Sequence, residues 1–487
     1  EQGYVAWVSG EPKLVETWDE WLKLAKPDNA KPFVAILEFP TRARREVLAV
    51  PKAIADACRA RGGLEPVVCF GQPASKAVRE LLIDHGESRV DAVISLHFKF
   101  ADKEAEIALA ALDVPIINAI RVYGRTVDEW RDSTQGLTTG EVAWQLAVPE
   151  LAGLAPHNVV AGLEPTRSGV EAQPIPERVE RVAVRARAFS ELRRAPAAQR
   201  RVALMYWNYP PGKQNVGASY LNVVRSIPIM LKAMREAGYS VEGADSAEAV
   251  EKLVIDRGRN IARWAPGELE KLIAEGGVTT IPVSKYAQWF AELPRRFRDE
   301  VTGHWGAPEK ADIMTAKIGG ELCFILPTIK LGNVVVLVQP DRARTQDLAA
   351  LYQTQDLPPH HQYIATYLWL QREFKANAVI HTGTHGTHEW LSGKESGLAG
   401  FDAGEVLAGD MPILYPYIMD DIGEGIVAKR RGAAIIIDHL TPALGTSALP
   451  PELQAIKDIV LRWREERSKG GESAKATQEE IDAEVLK

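Results

Sequence analysis

Phe33-Val34-Ala35-Ile36-Leu37-Glu38-Phe39 is an apolar run; an amphipathic stretch from Arg45 to Arg61, stopped by Gly62-Gly63, follows it, and then a second apolar run from Val67 to Phe70. Strand, glycine-closed helix and strand in that order make one βαβ unit. Working outward, the runs Asp91 to Leu96 and Val114 to Ala119, with a helical stretch between them, extend the unit into a parallel sheet covered on both faces. This predicts an N-terminal α/β domain over 1–170. The pattern breaks at Pro174 and Pro176. An Arg-rich helical connector over 171–201 follows, with Val179, Val182, Phe189 and Leu192 as its apolar stripe and its arginines facing water.

Val202 to Tyr206 opens a second α/β domain over 202–330, in which a helix from about Ala218 to Ala237 is stopped by Gly238. Val334 to Val338 opens a third over 331–450, with a helix from about Gln362 to Phe374 and a strand at Ala376 to Ile380. A charged helical tail over 451–487, read as truncated, completes the chain. The expected fold class is α/β, several parallel-sheet domains joined by helical connectors.

The 487 residues carry 46% hydrophobic and 25% charged side chains, which excludes a disordered or fibrous chain. A formal charge of −7 leaves no net positive field to gather nucleic acid, and no apolar run approaches the ~18 residues of a membrane span. Three scattered cysteines suit a reducing, cytoplasmic setting. The N-terminus, Glu1-Gln2-Gly3-Tyr4, shows neither an initiator Met nor a targeting peptide, as expected of a processed chain or a piece of a longer one.

The chemistry concentrates in His381-Thr382-Gly383-Thr384-His385-Gly386-Thr387-His388-Glu389-Trp390-Leu391-Ser392-Gly393-Lys394, where three of the ten histidines fall close together. They follow a buried strand and are expected to precede a helix, placing them at the carboxyl end of a parallel strand, where open α/β sheets seat ligands. A His/His/Glu set of this kind can bind a borderline divalent metal or move protons near neutral pH. The spacing is neither His-Glu-x-x-His nor its inverse, and neither Gly212-Lys213 nor Gly393-Lys394 completes a Walker A loop. Asp420-Asp421-Ile422-Gly423-Glu424-Gly425 offers acids that could guide a cation, and Lys429-Arg430-Arg431 offers bases that could hold carboxylates. The loop Asn208 to Gly217 is a candidate anion seat, Gln339-Pro340-Asp341-Arg342 closes another strand at its carboxyl end, and Pro358-Pro359-His360-His361 leads into the next helix.

Taken together these motifs resemble the large tetrapyrrole-binding subunits of ATP-dependent metal chelatases, the CobN-type cobaltochelatase and magnesium-chelatase H family. The resemblance runs from about Val90 to Leu444. It rests on Glu129-Trp130, Gly136-Leu137, Val148-Pro149-Glu150-Leu151, the Pro-Pro-Gly loop, Gly332-Asn333-Val334 with Gln339-Pro340, Pro358 to His361, His381 to Lys394, Asp421 to Arg431 and Asp438-His439-Leu440-Thr441-Pro442. The Pro-Pro-His-His run and the Ala428 to Arg431 stretch lean toward CobN. In the family's His-Gly-Thr-Leu-Glu-Trp-Leu-Pro-Gly-Lys pattern, His388 stands at the leucine and Ser392 at the proline. Asp420 replaces an asparagine and Ile422 a proline.

The resemblance implies a tetrapyrrole substrate, a divalent metal (cobalt, iron or magnesium), and AAA+ ATPase partner subunits that use the ATP. On that footing His381, His385 and Glu389 receive the metal or take pyrrole protons, His388 adjusts that set, and Asp421 or Glu424 assists. Lys429, Arg430 and Arg431 meet ring carboxylates, Trp390, Tyr415 or Tyr417 stacks on the ring, and Gln339 and Arg342 help bind it. The expected reaction is cobalt insertion into a corrin precursor. Iron removal from haem, magnesium insertion into protoporphyrin, a non-catalytic tetrapyrrole binder and a metal-dependent hydrolase are the rivals.

Overall fold

The computed structural model describes residues 2–40, 45–100, 102–166, 169–207, 221–243, 246–261, 267–343, 356–383, 387–417, 422–438, 451–469, 477 and 481. Residues 1–439 form one compact unit and 440–487 another, whose described part is chiefly the Pro451–Lys469 helix. In chain order the strands are β1 (Gly3–Val8), β2 (Glu11–Val15), β3 (Phe33–Glu38), β4 (Glu65–Phe70), β5 (Ile83–Asp84), β6 (Glu87–Ser88), β7 (Ala92–Ser95), β8 (Ile116–Thr126), β9 (His157–Thr166) and β10 (Gly169–Pro174). They continue as β11 (Val202–Tyr206), β12 (Val278–Pro282), β13 (Thr315–Ile318), β14 (Glu321–Leu331), β15 (Val334–Val338), β16 (Ala378–Thr382), β17 (Ile413–Tyr417) and β18 (Ala434–Asp438).

The first large sheet has the order β10-β9-β8-β7-β3-β4-β1-β2, parallel from β9 through β8, β7 and β3 to β4. The Arg45–Ala57 helix and its π turn Cys58–Gly62 cross from β3 to β4, and Gly63, at φ +61°, ends the crossover as the glycine pair predicts. From β3 the chain steps to β4 on one side and later returns to β7 on the other, so the order reverses between β3 and β7.

The second large sheet runs β12-β14-β15-β11-β16-β17-β18, with β13 paired to β14. The division expected at 330/331 falls at the last residue of β14, which pairs antiparallel with β15, and β11 pairs in parallel with both β15 and β16. The strands β11 to β18 therefore share one sheet. The reason is burial: β11 and β15 are buried at every position, and such strands need neighbours on both edges. Along β11, Val202, Leu204 and Tyr206 join Val223, Ile227 and Leu231 of the Val223–Glu236 helix, while Ala203 and Met205 join Tyr363 and Tyr367 of the His361–Trp369 helix. The second of these faces builds the site.

The connector differs from expectation. The Pro176–Arg194 helix does seat Val179, Val182, Ala183, Ala186 and Phe189 on the first sheet. Two of its arginines do not face water: Arg178 and Arg185 are each 1% exposed and reach Glu405 Oε1 at 2.9 and 3.4 Å. The Ala403–Ala408 helix covers that side and brings the counter-charge. Among the described residues no helix is long and apolar enough to cross a membrane.

Candidate active site

β16 lies between β11 and β17 and delivers His381 near its carboxyl end, beside Met205 of β11. Strand alternation sends Ile380 to one face and His381 to the other. The His381 imidazole, 2% exposed, stacks on Tyr415 of β17 with centroids 4.8 Å apart and 8° between planes, and on His388 at 5.0 Å and 25°. Tyr415 donates its hydroxyl to Glu389 Oε1 at 3.0 Å, and His388 Nδ1 stands 3.1 Å from Glu389 Oε2, an ion-pair distance. His388 Nε2 is 3.0 Å from the Gly432 carbonyl, so that nitrogen carries a proton.

A layer of tyrosines closes the cluster from the helix side. Tyr363 and Tyr367, four residues apart on the His361–Trp369 helix, stack at 5.5 Å; the Tyr367 hydroxyl lies 3.4 Å from His381 Nε2 and accepts from Gln339 Nε2 at 2.7 Å. Tyr363 shares a 2.6 Å hydrogen bond with Thr387 Oγ1. Burial, and then the neighbouring His388, lowers His381 to about 3. It is therefore neutral at physiological pH. Burial alone would raise Glu389, but the contact with His388 and the electrostatic pull of the neighbouring imidazoles outweigh it and hold the carboxyl well below its ordinary range. A neutral imidazole beside an ionised carboxylate can take a divalent cation without first shedding a proton.

Arg342 and Arg431 flank the cluster, and both interact electrostatically with Glu389. Burial brings Arg342 down to about 10. Arg431 donates Nη2 to the Leu391 carbonyl at 2.6 Å, while its Nε and Nη1 have no hydrogen-bond partner among the described residues. Gln339 Oε1 likewise has none. Arg430 is bound in a fork to Glu150 at 3.0 and 2.8 Å, so the structure commits it to a protein carboxylate. Lys429 and Trp390 are half-buried, and Glu424 is half-buried in the first turn of the Ile422–Arg431 helix. His385 and Asp421, both expected metal ligands, lie outside the described residues, as do the loop 208–217 and the Tyr417 side chain. Among the described residues no group of three or more His, Cys, Asp or Glu side chains stands ready to hold a metal ion.

The helix expected after the histidines is a single 3-10 turn, His388–Trp390. The segment beyond it is held by the first sheet's loops: Glu395 and Ser396 donate to the Thr134 and Gln135 carbonyls, and Lys394 Nζ to Arg131 O at 2.8 Å. A Cβ at Gly136, φ +79°, would sit 1.9 Å from Ser396 O, so this position requires glycine. Trp130 Nε1 donates to the Gly397 carbonyl at 2.8 Å. His360 and His361 are structural: His360 caps its helix and donates to Asp341 O at 2.7 Å, and His361 joins Tyr286 Oη and Gly306 O at 2.8 and 2.9 Å. Tyr363 and Tyr367 were not singled out from the sequence; their four-residue spacing after the Pro-Pro-His-His run was the available signal.

A buried imidazole and carboxylate cluster at the carboxyl ends of central parallel strands is the class of site with which an open α/β protein binds and works on a ligand. The chain belongs to the CobN/Magnesium Chelatase family, whose profile matches residues 3–487. It is 32% identical to the aerobic cobaltochelatase subunit CobN of Pseudomonas aeruginosa, over 85% of this chain and 33% of that protein. It is also 32% identical to the chloroplastic magnesium-chelatase subunit ChlH of Oryza sativa subsp. japonica, over 83% and 29%. The catalytic subunit of cobaltochelatase from Mycobacterium tuberculosis superposes with a TM-score of 0.75 at 27% identity, covering 94% of this chain and 39% of that one. The chain thus spans about a third of the length of these relatives.

Proposed function

We propose that this chain is the part of a CobN-like metal chelatase that handles the tetrapyrrole and its metal, with cobalt entering a corrin precursor and partner AAA+ ATPase subunits supplying the energy. The observation that carries the reading is the buried His381, His388 and Glu389 cluster within a chain of this family. Metal insertion requires that the ion shed water, that the ring distort, and that two pyrrole protons leave. In this reading His381 and Glu389, with His385, receive the incoming ion, since both described groups are already free of the competing proton. His388 relays protons beside them, and Asp421 and Glu424 assist. Arg431 meets a ring carboxylate with its open donors, Arg342, Gln339 and Lys429 steady the ring's edge, and Trp390 or Tyr417 lies on its face.

The extra imidazole at His388, stacked on His381, favours one second reading, iron removal from haem by the same groups run in reverse. Titrating the chain with a metal-free corrin precursor, free protoporphyrin and haem, followed by absorbance and fluorescence, separates the two. Tight binding of the corrin precursor is expected; preference for haem with growing free-porphyrin fluorescence would establish the second reading instead. His381→Ala and Glu389→Gln should each slow metal insertion, assayed with the ATPase partners, by at least about 100-fold while leaving ring affinity within about threefold. Equal losses of binding and turnover would reject the assigned roles.

A further inference from the structure

The first sheet has a crevice of its own. It opens where the strand order reverses, between the carboxyl ends of β3 and β7, and extends over β8; open α/β sheets seat ligands at this reversal. A cavity of about 270 Å³ lies there, lined by Phe39, Lys99, Phe100, Arg121, Tyr123 and Trp144 among others. Its aromatic walls are already arranged as plates. Tyr123 and Trp144 stack at 5.9 Å and 24°, and Phe39 stacks on His97 with Phe100 edge-on to it. Phe100 and Tyr123 are 62% and 43% exposed, so their ring faces are open at the mouth of the cavity.

The two basic groups in the crevice are unequally partnered. Arg121 is bound by Glu38, whereas Lys99, only 3% exposed, donates to the neutral Oδ1 of Asn118. Burial, then the charge of Arg121, pushes the Lys99 amine well below its ordinary value, so an incoming anion would relieve it. Phe98, the residue before Lys99, sits at φ +61°, a strained conformation for a bulky side chain, and such strain gathers at binding sites.

We propose that this crevice binds a carboxylate carried on a flat conjugated skeleton, Lys99 meeting the carboxylate while Tyr123, Trp144 and Phe39 cover the skeleton's faces. The volume falls just below the ~300–1,000 Å³ of sites for drug-sized ligands, so it takes a one- or two-ring acid or one carboxylate-bearing edge of a larger macrocycle. The site is built from the first sheet's own residues, and Asn118, His157 and Glu150 link Lys99 to Arg430.

The test is calorimetric titration of the full chain with 2-naphthoate, with 2-naphthamide as the uncharged control. The acid should saturate one site and bind at least about tenfold tighter than the amide. Lys99→Gln should erase that difference, and Tyr123→Ala, at an exposed rim position, should weaken the acid by about tenfold. Should Lys99→Gln fail to fold, the acid-to-amide ratio and Tyr123→Ala still decide. Equal binding of acid and amide, or no saturable binding in the millimolar range, overturns the proposal. Displacement of naphthoate by protoporphyrin but not by its dimethyl ester identifies a tetrapyrrole edge as the natural occupant, and absence of displacement a separate small acid. Protoporphyrin binding itself, read by its own absorbance, reports on the chelatase reading independently.

Discussion

His388 takes the place of a leucine in the family pattern, and its ring has polar neighbours on both sides: Nε2 donates to the Gly432 carbonyl and Nδ1 stands 3.1 Å from Glu389 Oε2. Gly432 permits this approach, because a Cβ there would lie 2.8 Å from Nε2. His388→Leu should leave the volume filled but the Gly432 carbonyl without its donor, costing about 1–3 kcal/mol of folding stability, read from the urea midpoint. An unchanged midpoint would mean that the carbonyl finds another donor. The cluster of His381, His388 and Glu389 was legible in the sequence because glycine-rich spacing after a strand brings such residues together. The tyrosine layer was not, since Tyr367 meets His381, and Tyr363 meets Thr387, only once their helix packs on the second sheet. Charge was legible without its partner: nothing in Lys429-Arg430-Arg431 says that Arg430 closes on Glu150 while Arg431 keeps open donors.

At the scale of elements, the βαβ unit over 33–70 read well because its helix is amphipathic and glycine-closed, a local pattern. The union of β11, β15 and β16 in one sheet did not, because parallel strands far apart in sequence leave no mark of which neighbours they choose. Where β15 ends, Asp341 shows what such closure costs. Its carboxyl is buried and, despite a 3.3 Å contact from Asn260 Nδ2, burial raises it from 3.8 to about 7. An acid raised on folding is protonated in the folded chain while ionised in the unfolded one, so its stabilising contribution is full below about pH 4 and is lost as pH rises to about 7. Asp341→Asn, which still offers Asn260 an oxygen, should flatten the stability profile between those limits and raise stability at pH 7 by a few kcal/mol, as thermal unfolding across that pH series would register. An unaltered slope would show that the carboxyl titrates normally.

Across the molecule, the first sheet meets the second at a buried carboxylate, Glu405. Glu405 receives Arg178 at 2.9 Å and Arg185 and Arg181 at 3.4 Å each, and Arg185 also donates to the Gly409 carbonyl at 2.8 Å. Gly404, beside it, packs against the Arg431 carbonyl, which a Cβ would meet at 2.2 Å, so this clamp and the His381 cluster share a wall. Burial alone would raise Glu405, but the three arginine charges outweigh it and bring the carboxyl down to about 2. A depressed acid stabilises the fold above its ordinary value of 4.5, and that contribution is lost as pH falls from there toward 2. Glu405→Gln should therefore cost about 3–5 kcal/mol at pH 7, because it leaves buried guanidinium groups without their counter-charge. It should also remove one proton's worth of acid sensitivity and split the single unfolding transition into two as the sheets uncouple. A loss under about 1 kcal/mol would mean that the arginines swing out to water, and the coupling of the two sheets would then rest on the remaining contacts, among them Arg430 with Glu150, Lys394 with Arg131 and Trp130 with Gly397.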